Sequence, residues 1–170
     1  SGAISNNSSI LSGAGADFLS TASTVEQSFV TGNLGADTLI FDEAVDQTSV
    51  YGGSLSATSA DGADSLDFTL GATLSFVQLN GGNDTLDFSA ASAQSTVYGG
   101  SGDDSITAGG SQLTVKGQKG NDTLNLTASS ASTFDAGEGT NYLRATSVGT
   151  STTSIFGGDS SDTLEVVSGT

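Results

Sequence analysis

A short motif, Gly-x-Asp/Asn-x-Leu, recurs along the chain at nearly constant spacing, and it limits the possible folds more than any other feature. It stands as Gly15-Ala16-Asp17-Phe18-Leu19, Gly35-Ala36-Asp37-Thr38-Leu39, Gly62-Ala63-Asp64-Ser65-Leu66 and Gly82-Asn83-Asp84-Thr85-Leu86. It continues as Gly102-Asp103-Asp104-Ser105-Ile106 and Gly120-Asn121-Asp122-Thr123-Leu124, with two variants, Gly139-Thr140-Asn141-Tyr142-Leu143 and Ser160-Ser161-Asp162-Thr163-Leu164. The acid or amide steps forward by 20, 27, 20, 20, 18, 19 and 21 residues. The long interval holds Val50-Tyr51-Gly52-Gly53, the same text as Val97-Tyr98-Gly99-Gly100, so the repeat is intact there and residues around 52–60 read as a loop inserted at a turn. A unit this short cannot bury its own apolar side and gains a core only by stacking on its neighbours.

Two apolar ladders run through the repeats. One is Leu19, Leu39, Leu66, Leu86, Ile106, Leu124, Leu143 and Leu164, often followed two residues later by Phe41, Phe68, Phe88, Leu126 or Val166. The other is Val30, Val50, Val77, Val97, Val115, Phe134 and Ile155. Period-2 spacing among β-branched and small residues predicts two short strands per unit, each with one buried face. Gly, Ser and Thr are too frequent for helix, and no stretch keeps a 3.6-residue period. The expected fold is all-β: a right-handed parallel β-solenoid of about eight coils, roughly 40 Å long at the usual strand spacing. A single repeat domain over residues 1–170 is expected, and the Ser1 start reads as a piece of a larger or processed protein.

The charge balance narrows the partners. Three basic residues (Lys116, Lys119, Arg144) face nineteen acidic ones, for a net charge of −16. Nucleic acid and anionic membranes need cationic patches and are not expected partners. No apolar run approaches a membrane span of roughly 18 residues, and no secretory signal is read within the chain. The absence of Cys excludes disulfides and thiol chemistry. An acidic Ser/Thr/Gly-rich chain suggests disorder on composition alone, but disorder does not require Leu at fixed intervals.

An acid at one place in seven of eight units would, when stacked, put like charges a few ångströms apart. That arrangement is unfavourable unless a hard cation sits between the rungs. Calcium, which accepts 6–8 oxygen ligands in loose geometry, suits carboxylates beside turn carbonyls better than magnesium does.

Gly99-Gly100-Ser101-Gly102-Asp103-Asp104-Ser105-Ile106 resembles the nonapeptide of RTX proteins, Gly-Gly-x-Gly-x-Asp-x-(apolar)-x. Gly81-Gly82-Asn83-Asp84-Thr85-Leu86 and Gly117-Gln118-Lys119-Gly120-Asn121-Asp122-Thr123-Leu124 are looser matches, and the pattern extends over essentially the whole chain. The resemblance implies a parallel β-roll with Ca2+ between coils, type I secretion and folding driven by extracellular calcium. It implies side-chain ligands Asp17, Asp37, Asp64, Asp84, Asp104, Asp122 and Asp162, with Asn141 as a neutral substitute. It implies carbonyl ligands near Gly13, Gly15, Gly35, Gly62, Gly82, Gly100, Gly102, Gly120 and Gly139. A regular RTX roll has calcium on both edges. Here the second turns, such as Ser89-Ala90-Ala91-Ser92-Ala93 and Thr127-Ala128-Ser129-Ser130-Ala131, have no acid, so one row of sites on one edge is expected. One-sided repeats of this kind resemble those of bacterial surface-layer proteins and large adhesins. A secreted, cell-surface structural role, with self-association or packing against neighbouring domains through the open ends, follows as an expectation.

Other functions fit less well. Parallel β-helix enzymes acting on polysaccharides pair carboxylates with a Lys, Arg or His. Here there is no His, the three cations are scattered, and the adjacent Asp103 and Asp104 belong to the motif turn. No enzyme is expected. An ice-binding or flat adhesive face is the alternative, with Thr38, Thr85, Thr123 and Thr163 just after the acid and Ser at 65 and 105, broken by Phe18 and Tyr142. Tyr51, Tyr98 and Tyr142 suggest sugar stacking, although Tyr51 and Tyr98 occupy matching repeat positions that turn packing explains equally well.

Overall fold

The computed structural model describes residues 2–5, 7–55, 61–146 and 152–167. Among the described residues all regular structure is strand, and every strand pairing is parallel. One wall is an eight-stranded sheet of Ser9–Ala14, Phe29–Leu34, Ser49–Gly53, Phe76–Gly81, Thr96–Ser101, Thr114–Lys119, Thr133–Glu138 and Ser154–Phe156. The facing wall takes the alternate segments, Phe18–Thr21, Thr38–Phe41, Ser65–Phe68, Thr85–Ala93, Ser105–Ser111, Thr123–Ser130, Tyr142–Thr146 and Thr163–Val167. Three two-residue strands, Val25–Glu26, Val45–Asp46 and Ala72–Thr73, extend this second wall toward the far edge. The chain alternates between walls, so it is a β-solenoid of about seven turns, close to the eight coils expected.

Both apolar ladders stack in register. Leu19, Leu39, Leu66, Leu86, Ile106, Leu124, Leu143 and Leu164 are successive cross-strand partners. So are Ile10, Val30, Val50, Val77, Val97, Val115, Phe134 and Ile155. Phe41 stacks on Phe68 with ring centroids 4.7 Å apart, and Phe68 meets Phe88 edge-on at 5.1 Å. Interior positions between the end windings are closed to solvent. At the last described winding, Leu164 and Val166 are 54% and 64% exposed.

The longer unit keeps the register. Leu66 pairs with Leu39 on one side and Leu86 on the other, so the extra residues leave the stack undisturbed. Residues 56–60 of the expected insertion lie outside the described residues. At its base, Asp61 accepts through Oδ2 from the Ser54 N–H at 2.9 Å.

Candidate metal centre

The motif acids form one continuous ladder along one edge of the rod. The backbone N–H of each acid donates to Oδ1 of the acid one winding later. The bonds run from Asp17 to Asp37 at 2.7 Å, Asp37 to Asp64 at 2.8 Å, Asp64 to Asp84 at 2.7 Å and Asp84 to Asp104 at 3.0 Å. They continue from Asp104 to Asp122 at 2.9 Å, Asp122 to Asn141 at 2.8 Å and Asn141 to Asp162 at 2.8 Å. The acid and the Leu two residues later share strand parity, so both side chains point inward. Asp37, Asp64, Asp84, Asp104 and Asp122 are accordingly buried.

The second carboxylate oxygen has no such partner. Oδ2 of Asp17, Asp37, Asp64, Asp84, Asp104 and Asp122 is buried without a hydrogen bond. Asn141 shows what that position faces: its Nδ2 donates to the carbonyls of Gly139 and Gly157 at 3.2 and 3.3 Å. The Asp rungs point an oxygen into the same surroundings. A Cβ placed on Gly117 would lie 2.2 Å from Asp122 Oδ2 and 2.4 Å from the Ala136 carbonyl oxygen. On Gly99 it would lie 2.5 Å from Asp104 Oδ2 and 2.6 Å from the Gly117 oxygen. Acceptors therefore converge on acceptors in a dry space, which is costly unless a proton or a cation comes between them.

The protonation of the rungs reflects this. Burial pushes Asp64 and Asp104 up to about 8, Asp84 to about 7 and Asp122 to about 6, and it raises Asp37 as well. The N–H bond from the preceding rung pulls each of them down. Neighbouring acids push back up, Asp84 and Asp122 on Asp104, and Asp61 on Asp64 and Asp84.

The opposite edge has the same ladder built from hydroxyls. The N–H groups of Ser28, Thr48 and Ser75 donate to the side-chain oxygens of Thr48, Ser75 and Ser95 at 3.4, 3.2 and 3.1 Å, and Leu113 N–H donates to Ser132 Oγ at 3.0 Å. Each hydroxyl then donates to the carbonyl two residues before it, as Ser95 does to Ala93 at 2.9 Å and Ser75 to Thr73 at 2.8 Å. A hydroxyl both accepts and donates, so each of these side chains has both roles filled within the chain.

The donor set on the acid edge fits calcium. Oxygens alone are presented, from carboxylates and main-chain carbonyls, and the orphaned Oδ2 atoms lack positive charge. Among the described residues no three acidic side chains gather at one point, so carbonyls would have to supply most of a coordination shell. Residues 95–124 match the family model of the RTX calcium-binding nonapeptide repeat. That segment is similar to RTX-type calcium-binding repeats. No curated protein and no solved structure matches the chain. The matched RTX segment contains Asp104 and Asp122, the rungs separated by 18 residues, the length of two nonapeptides.

The expected RTX ligands fall in distinct rows. The eight acid or amide positions, Asp17 to Asp162, form the single ladder described above. Gly15, Gly35, Gly82, Gly102, Gly120 and Gly139 stack beside it so tightly that a Cβ on Gly120 would lie 2.0 Å from the Gly102 carbonyl oxygen. Gly62 N–H donates to the Gly35 carbonyl at 3.1 Å. Gly100 belongs to another row, over the Asn80 carbonyl. The sequence reading passed over Gly32, Gly52, Gly99, Gly117 and Gly157, where the missing Cβ leaves room for an acid's Oδ2. Their common place five residues before the acid, or just ahead of the insertion for Gly52, was the available signal. A second, outer ladder was also missed. Asp103, Asn121 and Thr140 donate their N–H groups to the side chains of Asn83, Asp103 and Asn121 at 2.9, 2.7 and 2.8 Å.

Proposed function

We propose that this chain is a calcium-stapled structural module of a secreted bacterial cell-surface protein, of the surface-layer or sheath kind. The observation that carries this reading is the column of six buried, unpartnered Oδ2 atoms along one edge. Asp37, Asp64, Asp84, Asp104 and Asp122 would hold Ca2+ together with carbonyls such as those of Gly117 and Ala136, with Asp17 and Asp162 toward the ends. Bound calcium would supply the positive charge that lets these buried acids stay ionised, and each rung would hold together two windings that separate on unfolding. Calcium scarcity in the cytoplasm would keep the chain loose for type I secretion, and abundance outside would fold it.

The carboxylates point into the rod, where no substrate reaches them, which favours a structural over a catalytic role. The exposed apolar end at Leu164 and Val166 favours packing against a further winding, a neighbouring domain or another copy. Thr38, Ser65, Thr85, Ser105 and Thr123 lie in one outward row, which supports an ice-binding or adhesive face as the second reading. Thermal hysteresis tests that alternative.

The main test is titration of calcium into stripped protein, followed by circular dichroism and calorimetry. Calcium should raise the melting point and strengthen the β signal. Identical melting in calcium and in chelator would sink the proposal.

A further inference from the structure

The outer face of the first wall carries an aromatic strip that the calcium ladder does not explain. Phe29, Tyr51, Phe76 and Tyr98 form a zigzag over four successive windings, with centroids 5.3, 5.8 and 5.4 Å apart. Tyr51 and Tyr98 share one row with Gln78 between them, and Phe29 and Phe76 lie in the adjacent row. All four rings are half-buried. Tyr142 is on the other wall, beside Glu165, and takes no part.

The polar side chains on the strip itself are neutral, with Lys116 beside Tyr98 on the next winding and the Asp46 carboxylate accepting from Gln47 Nε2 at 3.2 Å. The strip's outward positions from Ser9 to Tyr98 carry no charge, in a chain whose net charge is −16. At the Phe29 end, an open cleft of about 520 Å³ is lined by that ring, the carboxamides of Asn7, Gln27 and Gln47, and serine hydroxyls. Gln27 and Gln47 are exposed and stand over one another, with Gln27 Nε2 donating to Gln47 Oε1 at 3.4 Å. Carboxamides donate and accept within one group, which matches the paired lone pairs and O–H of a sugar hydroxyl. A ring face beside them matches the C–H face of a pyranose.

We propose that this face binds a neutral glycan, its sugar rings lying on the Phe29–Tyr98 strip and its hydroxyls meeting the Asn7, Gln27 and Gln47 amides. Charge selects this occupant. The acidic chain repels polyanions, and the outward positions of the strip carry no carboxylate to hold a polycation against the rings. A purely apolar partner would strip solvent from the exposed Gln27 and Gln47 amides and leave them only their contact with each other at 3.4 Å and the bond from Gln47 Nε2 to Asp46 Oδ2 at 3.2 Å.

Affinity electrophoresis of the calcium-loaded chain in gels cast with hydroxyethylcellulose, dextran, mannan or alginate tests this. At least one neutral polysaccharide should retard migration, and alginate should not. Phe29→Ala and the exposed Gln47→Ala should each weaken retardation by about tenfold, the scale of one lost stacking or hydrogen-bonding contact. Tyr142→Ala should leave it unchanged. Circular dichroism with calcium checks that each variant is folded, and Gln47→Ala keeps the test valid if Phe29→Ala is not. No retardation by any neutral glycan overturns the proposal. So does retardation that survives Gln47→Ala, or a concentration-dependent dimer in sedimentation that Phe76→Ala abolishes, which would make the strip a contact between copies.

Discussion

The backbone N–H of Asp122 donates to Oδ1 of Asn141 at 2.8 Å, so a carboxylate rung and an amide rung share one ladder and differ only in what they present next. Asn141 presents an NH2 to two carbonyls, and Asp122 presents a bare oxygen. The comparison separates what the fold needs, an Oδ1 acceptor on every winding, from what calcium would need, an anionic Oδ2.

Asp104→Asn should therefore stabilise the calcium-free protein. Above the raised Asp104 value of about 8, the amide replaces an unsatisfied buried anion with a donor, a gain of about 1–3 kcal/mol to be read at pH 9. The melting point in chelator should rise by several degrees, and calorimetry should count less bound calcium. Asn141→Asp should do the reverse on both readouts. A fall in calcium-free stability for Asp104→Asn would mean that Oδ2 has a donor in solution.

Stability in calcium-free buffer should depend on pH through the same rungs. Asp64, Asp84, Asp104 and Asp122 have folded values raised to about 8, 7, 8 and 6, above the ordinary carboxylate range near 4. An acid raised by folding contributes stability below its unfolded value, and that contribution is lost as pH rises through the folded one. Melting points without calcium should fall from pH 4.5 to pH 8. Calcium binds the ionised form, so the stabilisation it adds should grow over the same range. Parallel melting curves with and without calcium across this window would contradict the assignment.

The sequence disclosed the stacking because identical intervals become identical positions once windings are in register: Leu39, Leu66 and Leu86 are partners despite the 27-residue unit between two of their acids. It did not disclose how deep Asp64 or Asp104 lies, since Gly-x-Asp also reads as an exposed turn. The hydroxyl ladder was hidden for a different reason. Thr48, Ser75 and Ser95 recur at the repeat interval, but Ser and Thr crowd every second turn, and Leu113 interrupts the series. The strip of Phe29, Tyr51, Phe76 and Tyr98 alternates between two rows, so aligning the repeats separates rings that touch in space.

Gly117→Ala should harm the protein although Gly→Ala at a compatible site adds about 0.4–1 kcal/mol. The new Cβ would lie 2.2 Å from Asp122 Oδ2 and 2.4 Å from the Ala136 carbonyl, displacing the oxygens proposed to meet calcium. A loss of about 1–3 kcal/mol is expected, with weaker calcium binding in titration calorimetry. Gly81→Ala is the control, since the nearest atom to its Cβ would be Ser101 Oγ at 3.4 Å. Equal effects from the two substitutions would argue against a special role for the space at Gly117.

Ser95→Ala tests whether the two edges are independent. Ser95 Oγ accepts from Ser75 N–H at 3.1 Å and donates to Ala93 at 2.9 Å, and its loss leaves a buried N–H without a partner. The cost should be about 1–3 kcal/mol. This edge has no carboxylate in its ladder, so calcium should neither relieve nor deepen that cost. Melting of the variant with and without calcium should show the same gap between the two conditions as the parent. A gap that narrows in Ser95→Ala would mean that the hydroxyl edge also takes part in binding the ion, and that a winding responds to calcium as one body.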